Sequence, residues 1–233
     1  MAQADLVISP VSGKTDLKAC VDFAWEVYGQ DPNWVPPLKN EVLGMLTPGK
    51  NPFFGHAEAQ YFLARRDGRI TGRISAHIDR LALAQPSSQG MGPGTGFWGM
   101  FDALDGASAA ALITAAEGWL RDKGMTRALG PISLSIWEEP GLLTLGHDHP
   151  PTVMMGHHLP HYAGWVTGAG YAPAKHLRAY DLDITTEFPP LIQRIIQSGE
   201  KNERIRIRKV DKRRFDKEAA IILAILNDAW GDN

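Results

Sequence analysis

Hydrophobic and polar positions divide this chain into short alternating runs and longer stretches of helical period. "DLVISPV" alternates and predicts an opening strand. From about Thr15 to Tyr28 the apolar residues Leu17, Val21, Ala24, Trp25 and Tyr28 fall on one helical face, with Thr15 as the expected N-cap. "DPNWVPPL" then ends regular structure, because its prolines lack amide donors and restrict their neighbours. The clearest element is "AQYFLARRDGRITGRISAHID", two runs flanking Asp67-Gly68. That dipeptide suits a tight primed turn, so residues 60–66 and 69–79 are expected as paired antiparallel strands.

Residues 85–96, rich in Gly, Ser and Pro, read as a loop leading into the strand "FWGMFDAL". "ASAAALITAAEGWLRDKG" reads as a helix, with Ala109, Leu112, Ile113, Ala116, Trp119 and Leu120 as its apolar stripe and Gly124 as its stop. "MTRALGPIS" is the next expected strand, residues 160–169 a short helix, and "KHLRAYDLDI" a final alternating strand. The order β-α-β-β-β-α-β-α-β predicts an α/β layered domain ending near Ile184.

Composition narrows the partners. With 24 basic and 26 acidic residues among 233, the net charge of -2 gives no reason to expect nucleic acid. The run "KNERIRIRKVDKRRFDK" is basic, but acids and Ile205, Ile207 and Val210 interleave with its cations like one face of a half-buried strand. Cys20 is the one cysteine, which excludes an internal disulfide and fits a reducing compartment. "MAQADLVISP" has no basic start followed by an apolar core, and no apolar run approaches the ~20 residues of a spanning helix. A cytoplasmic location is the resulting expectation.

The chemistry-bearing residues concentrate in "GPISLSIWEEPGLLTLGHDHPP" and just beyond it. His147, Asp148, His149, His157, His158 and His161 could supply metal ligands, but their spacing matches neither a zinc ribbon nor a HExxH helix. Solvated or turn-capping histidines are the favoured reading, with no metal. Ser133 and Ser135 lack a G-x-S-x-G elbow, and Cys20 sits where packing is its expected role. "DGASAAAL" opens a helix whose free amides at Gly106, Ala107 and Ser108 could receive a pyrophosphate, unless Asp105 or Ser108 caps them.

The order of elements resembles the GNAT fold of acyl-CoA-dependent N-acyltransferases, a mixed, mostly antiparallel sheet with flanking helices and splayed fourth and fifth strands. "DPNWVPPL", "NPFFGHAEAQYFLARRDGRITGRISAHID", "GPISLSIWEEPGLLTLG" and "PPTVMMGHHLPHYAGWVTGAGY" more specifically resemble a bacterial subgroup of GNAT-like proteins. The usual R/Q-x-x-G-x-G/A signature is absent; its place is taken by "FWGMFDALDGASAA", with Asp102 and Asp105.

In this resemblance the acyl thioester of an acyl-CoA co-substrate lies in the V between the fourth and fifth strands. Trp98, Gly99, Met100 and Phe101 would then meet the thioester, with a backbone amide at its carbonyl, and Gly106 to Ser108 the pyrophosphate. Glu138 or Glu139 would deprotonate the acceptor amine, Trp137 would line the acceptor rim, and Asp79 would hold a cationic amine. The family's tyrosine acid falls at Val166, and Tyr162, one turn earlier on the same face, is the substitute candidate. The resemblance implies a small-molecule or lipid-like amine as acceptor; the bacterial ceramide synthases, which N-acylate a long-chain amine, are also similar to GNAT proteins. Two rivals remain: a non-catalytic GNAT-like module that binds a ligand or partner, and a pyrophosphohydrolase, which would need a Glu-rich helix for Mg²⁺.

The C-terminal stretch repeats the plan of the N-terminus. "RIRIRKVDKRRFDKEAAIILAILNDAWGDN" matches "DLVISPVSGKTDLKACVDFAWEVYGQDPN" as strand, polar break, apolar-faced helix and aromatic-glycine exit. The expected organisation is a GNAT-like domain over 1–184, a linker or helix over 185–203, and the start of a second, truncated unit over 204–233. The helix at 215–230 would expose Ile221, Ile222, Ile225 and Leu226 unless it docks on the rest of that second unit, on the first unit or on another chain.

Overall fold

The computed structural model describes residues 5–183, 185–204 and 208–230. They form two compact units, one reaching to Leu177 and the other starting at Arg178, seven residues before the boundary expected near Ile184.

The first unit is an α/β domain. It begins with β1 (Leu6–Pro10), α1 (Gly13–Tyr28) and α2 (Lys39–Met45). Helix α1 starts earlier than expected: Ser12 holds the N-cap position, and the Asp16 carboxylate accepts the Ser12 amide at 3.3 Å. The hairpin β2 (Ala57–Arg66) and β3 (Arg69–Asp79) follows. Its turn is built as the dipeptide predicts, since Asp67 and Gly68 have φ of 51° and 78°, the left-handed pair of a primed turn. After the short helix α3 (Arg80–Leu83) come β4 (Thr95–Ala103), α4 (Gly106–Asp122) and β5 (Arg127–Leu129). The sheet order is β1-β2-β3-β4-β5, antiparallel throughout except for the parallel pair β4–β5.

Two apolar layers cover this sheet. On one face Leu112, Ile113, Ala116 and Leu120 of α4 pack against Ile74, Ala76, Trp98 and Phe101. On the other, Cys20 and Val21 of α1 join Leu46, Phe53, Leu63, Met100 and Leu134.

The expected strand "MTRALGPIS" is broken. The β4–β5 ladder ends at Phe97–Leu129, and Pro131, which has no amide to donate, follows the cis bond from Gly130. The chain resumes as β6 (Ile132–Ser133), which pairs with β7 (Glu139–Pro140) in a separate two-stranded sheet. The fourth and fifth strands thus lie side by side for three residues and then lose their ladder. Helix α5 (Tyr162–Gly168) falls within the expected 160–169.

The expected strand over 175–184 does not form in residues 175–183, and Ile184 lies outside the described residues. Side chains 172–183 are all exposed, so the alternation has neither a buried face nor a ladder partner, and alternation alone cannot hold a strand. The second unit contains α6 (Pro190–Glu200), inside the expected linker or helix, and α7 (Phe215–Trp230). Of the strand expected at 204–210, residues 205–207 lie outside the described residues and 208–210 form none.

Candidate active site

Strand β4 carries a bulge at the point where the site forms. Arg73 and Ser75 are two steps apart on β3, yet their partners Asp102 and Gly99 are three apart on β4. The extra residue twists the strand and reverses its alternation. Met100 adopts φ 46° there. Its amide leaves the ladder and donates to Ser133 Oγ of β6 at 3.1 Å. Ser133 in turn donates to Glu139 Oε2 of β7 at 3.0 Å. The approach of β6 to the bulge is close, since a Cβ on Gly99 would stand 2.1 Å from the Ile132 carbonyl oxygen.

The bulge also turns Asp102 towards α1. There Arg73 Nε donates to Asp102 Oδ2 at 2.7 Å, Tyr28 donates to Oδ1, and Arg73 NH1 reaches the Cys20 carbonyl at 2.9 Å. Both members of the ion pair are nearly buried. Burial is the largest single influence on the Arg73 cation and opposes it, but Asp102, Cys20 and Tyr28 together outweigh that and hold its pKa above the usual arginine value. Burial, reinforced by the Asp102 charge, pushes the Tyr28 hydroxyl well up.

A cluster of histidines closes this end of the sheet. His157 Nε2 lies 2.7 Å from Asp31 Oδ2, and that bond holds Asp31 below the ordinary carboxylate range. His147 Nδ1 lies 2.9 Å from the His158 carbonyl oxygen. Burial lowers the His158 pKa, against the opposing pull of Glu139, so its ring is neutral near pH 7. Nδ1 of that ring accepts the Leu143 amide at 3.2 Å, which leaves the proton on Nε2. Gly156 leaves room between His158 and Glu139: a Cβ there would lie 2.8 Å from His158 Cε1 and 3.0 Å from Glu139 Oε1. Among the described residues, no group of three His, Cys, Asp or Glu is arranged to hold a metal ion.

The residues singled out in the sequence separate in space. Glu139 and Met100 come together through Ser133. Glu138 turns away and contacts the Ser135 hydroxyl. Gly99 and Phe101 flank Met100 in the bulge, while Trp98 and Phe101 point into the α4 core. Tyr162 is completely buried, and its hydroxyl accepts the Ala103 amide at 3.0 Å and donates to the Ala103 carbonyl at 3.1 Å. Burial raises its pKa, and its two bonds tie α5 to the end of β4.

Asp79 caps α3 at the Leu81 amide and meets His56 Nδ1 at 2.7 Å. Trp137 is exposed on the turn between β6 and β7. At the start of α4, Asp105 accepts the Ser108 amide at 2.8 Å and pairs with Arg66 at 2.9 Å. A carboxylate therefore sits at the helix start beside Gly106 and Ala107, where a pyrophosphate was expected. Sequence reasoning weighed His158 only as a metal ligand or as a solvated or turn-capping histidine, and Ser133 only as a nucleophile. The Glu-Glu-Pro step that pairs β7 with β6 was the available signal for Ser133; nothing local marked His158 as a neighbour of Glu139.

The chain matches no protein-family model. It is 46% identical over 232 residues to a protein named bacterial ceramide synthase from Caulobacter vibrioides, a match covering 99% of this chain and 59% of that protein. It is 38% identical over 225 residues to Protein YghO of Escherichia coli, covering 94% of this chain and 55% of that one. The chain thus spans somewhat over half the length of the curated relatives it matches. Among solved structures, a tandem GNAT protein from the clavulanic acid biosynthesis pathway aligns with a TM-score of 0.44 and 16% identity, covering 71% of this chain and 43% of that one. An aminoglycoside acetyltransferase from an uncultured soil metagenomic sample aligns with a TM-score of 0.40 and 12% identity, covering 78% and 97%. By the order of its elements and the parallel β4–β5 pair that parts beyond Leu129, this chain has a GNAT-like fold, and its sequence is similar to those of the proteins named bacterial ceramide synthase and YghO.

Proposed function

We infer that this chain carries the N-acyl transfer site of an enzyme that moves an acyl group from acyl-CoA to an amine. The observation that carries the reading is the bulge amide of Met100, which donates to an oxygen placed beside Glu139. A thioester carbonyl that displaces the Ser133 hydroxyl would receive that amide, which then stabilises the oxyanion as the carbonyl carbon becomes tetrahedral. The neutral acceptor amine attacks the carbonyl carbon, and its nitrogen gives one proton to Glu139 as the C–N bond forms and the C–S bond breaks. The proton held on Glu139 returns to the departing thiolate, so no separate acid is required. His158, neutral and with Nε2–H available, orients the carboxylate or the incoming amine. The printed name of the Caulobacter relative supports a long-chain amine as acceptor.

A second reading, a non-catalytic acyl-CoA-binding or partner-binding module, is favoured by the Asp105 cap on α4. Calorimetric titration with acyl-CoAs from acetyl to palmitoyl tests both, followed by an assay of thiol release with a long-chain amine. Binding with amine-dependent thiol release is the expected result. Binding without release selects the second reading, and no binding at any chain length overturns the first.

A further inference from the structure

Helix α7 repeats the buried face of α1 position by position. With Tyr28 set against Trp230, the α1 residues Cys20, Val21, Phe23 and Ala24 fall on Ile222, Leu223, Ile225 and Leu226. The acids agree as well, Asp16 with Glu218 and Glu26 with Asp228. The four α1 residues are at most 5% exposed, whereas their α7 counterparts are between 45 and 62% exposed. In α1 this face lies on β2, β3 and β4, where Cys20 and Val21 join Tyr61, Leu63 and Met100. Helix α7 has the same pattern in aliphatic side chains, and among the described residues its own unit contains no such sheet. Its first-turn acid is already satisfied, since Glu218 is buried and accepts from Arg208 at 2.7 Å.

We propose that the Ile222–Leu223–Ile225–Leu226 face of α7 is the docking surface for a second GNAT-like sheet, which covers it as β2–β4 cover α1. About two-fifths of the Caulobacter relative lies outside its match to this chain, enough to supply such a sheet. An apolar stripe of this width is stable in water only when covered. The alternating hairpin face that receives α1 is the complementary shape.

Hydrogen exchange tests the proposal on two proteins, this 233-residue chain and the full-length Caulobacter relative. The helix matching α7 is expected to exchange at least about 100-fold more slowly in the relative than in this chain. Leu223→Asp is expected to leave the melting of the first unit unchanged in this chain. The matching substitution in the relative is expected to abolish the slow exchange. Three results would overturn the proposal. Slow exchange in this chain as a monomer means that the face docks on its own first unit. Slow exchange that is lost on dilution means that a second copy covers it. Fast exchange in both proteins means that no sheet does.

Discussion

The Met100 amide and the Ser133 hydroxyl meet at 3.1 Å across the line where the β4–β5 ladder has ended. A side chain thereby replaces the backbone acceptor that a continuing β5 would have offered. The bulge amide stays satisfied while remaining exchangeable for another oxygen. If that bond and the Ser133–Glu139 bond both hold the site together, Ser133→Ala leaves a buried donor unmet and lowers stability by about 1–3 kcal/mol. Under the proposed function the same variant binds acyl-CoA at least as well as the parent, since no hydroxyl competes for the amide. Urea melts and calorimetry on the one variant check both halves; weaker acyl-CoA binding would remove Met100 from the oxyanion role.

The two glutamates should behave differently. Glu139 faces Ser133 and His158, whereas Glu138 contacts Ser135. Glu139→Gln is expected to reduce turnover by about 10²-fold or more, the usual scale for a general base. Glu138→Gln should stay within a few-fold of the parent. Steady-state rates with saturating amine decide it, and equal losses in both variants would count against Glu139 as the base.

The Arg73–Asp102 pair is nearly buried, and Tyr28 completes it. Removing one partner strands the other charge, so Arg73→Met or Asp102→Leu alone should cost about 3–5 kcal/mol. The double variant should be more stable than either single one, because the uncompensated charge is gone. Chemical denaturation of the three variants measures the coupling. If the single losses simply add in the double variant, the pair is not the unit described here.

How far the sequence carried these features follows from what each depends on. The hairpin at Asp67-Gly68 and the helix over 106–122 were legible because turn chemistry and period are local. The bulge was not. The run "FWGMF" reads as apolar throughout, and only the pairing with β3 reveals that one extra residue moves Asp102 onto the α1 face beside Arg73. Asp102, which in the sequence stands only as part of the stretch replacing the usual signature, is the partner of a buried guanidinium. Glu139 could be named as one of two candidates because neighbours in an extended segment point opposite ways. Choosing between them required the β6–β7 register. His158 could be read only as one of a run of histidines for the same reason: its partners Leu143 and Glu139 are set by a loop path, not by spacing.

The buried histidine of β3 gives a prediction in pH. His77 is fully buried, stacked on Phe97 at 5.6 Å and edge-on to Phe53 at 6.0 Å. Among the described residues its ring nitrogens make no hydrogen bond of good geometry, although the Leu134 backbone lies near enough to favour the cation. Burial dominates and lowers its pKa from 6.5 to about 3. The unfolded chain therefore takes up a proton near pH 6.5 that the folded chain refuses until about pH 3. Stability from this residue is fully present above pH 6.5 and declines as the pH falls through that window. The slope is about 1.4 kcal/mol per pH unit for one proton. His158, also lowered by burial, acts in the same direction. His77→Phe keeps an aromatic ring between Phe53 and Phe97 but binds no proton. Urea melts at pH 7 and pH 4.5 should show the parent losing more stability than the variant, by about 2–3 kcal/mol from this residue alone. Equal losses in the two proteins would mean that His77 is solvated or hydrogen-bonded well enough to titrate normally in the folded state.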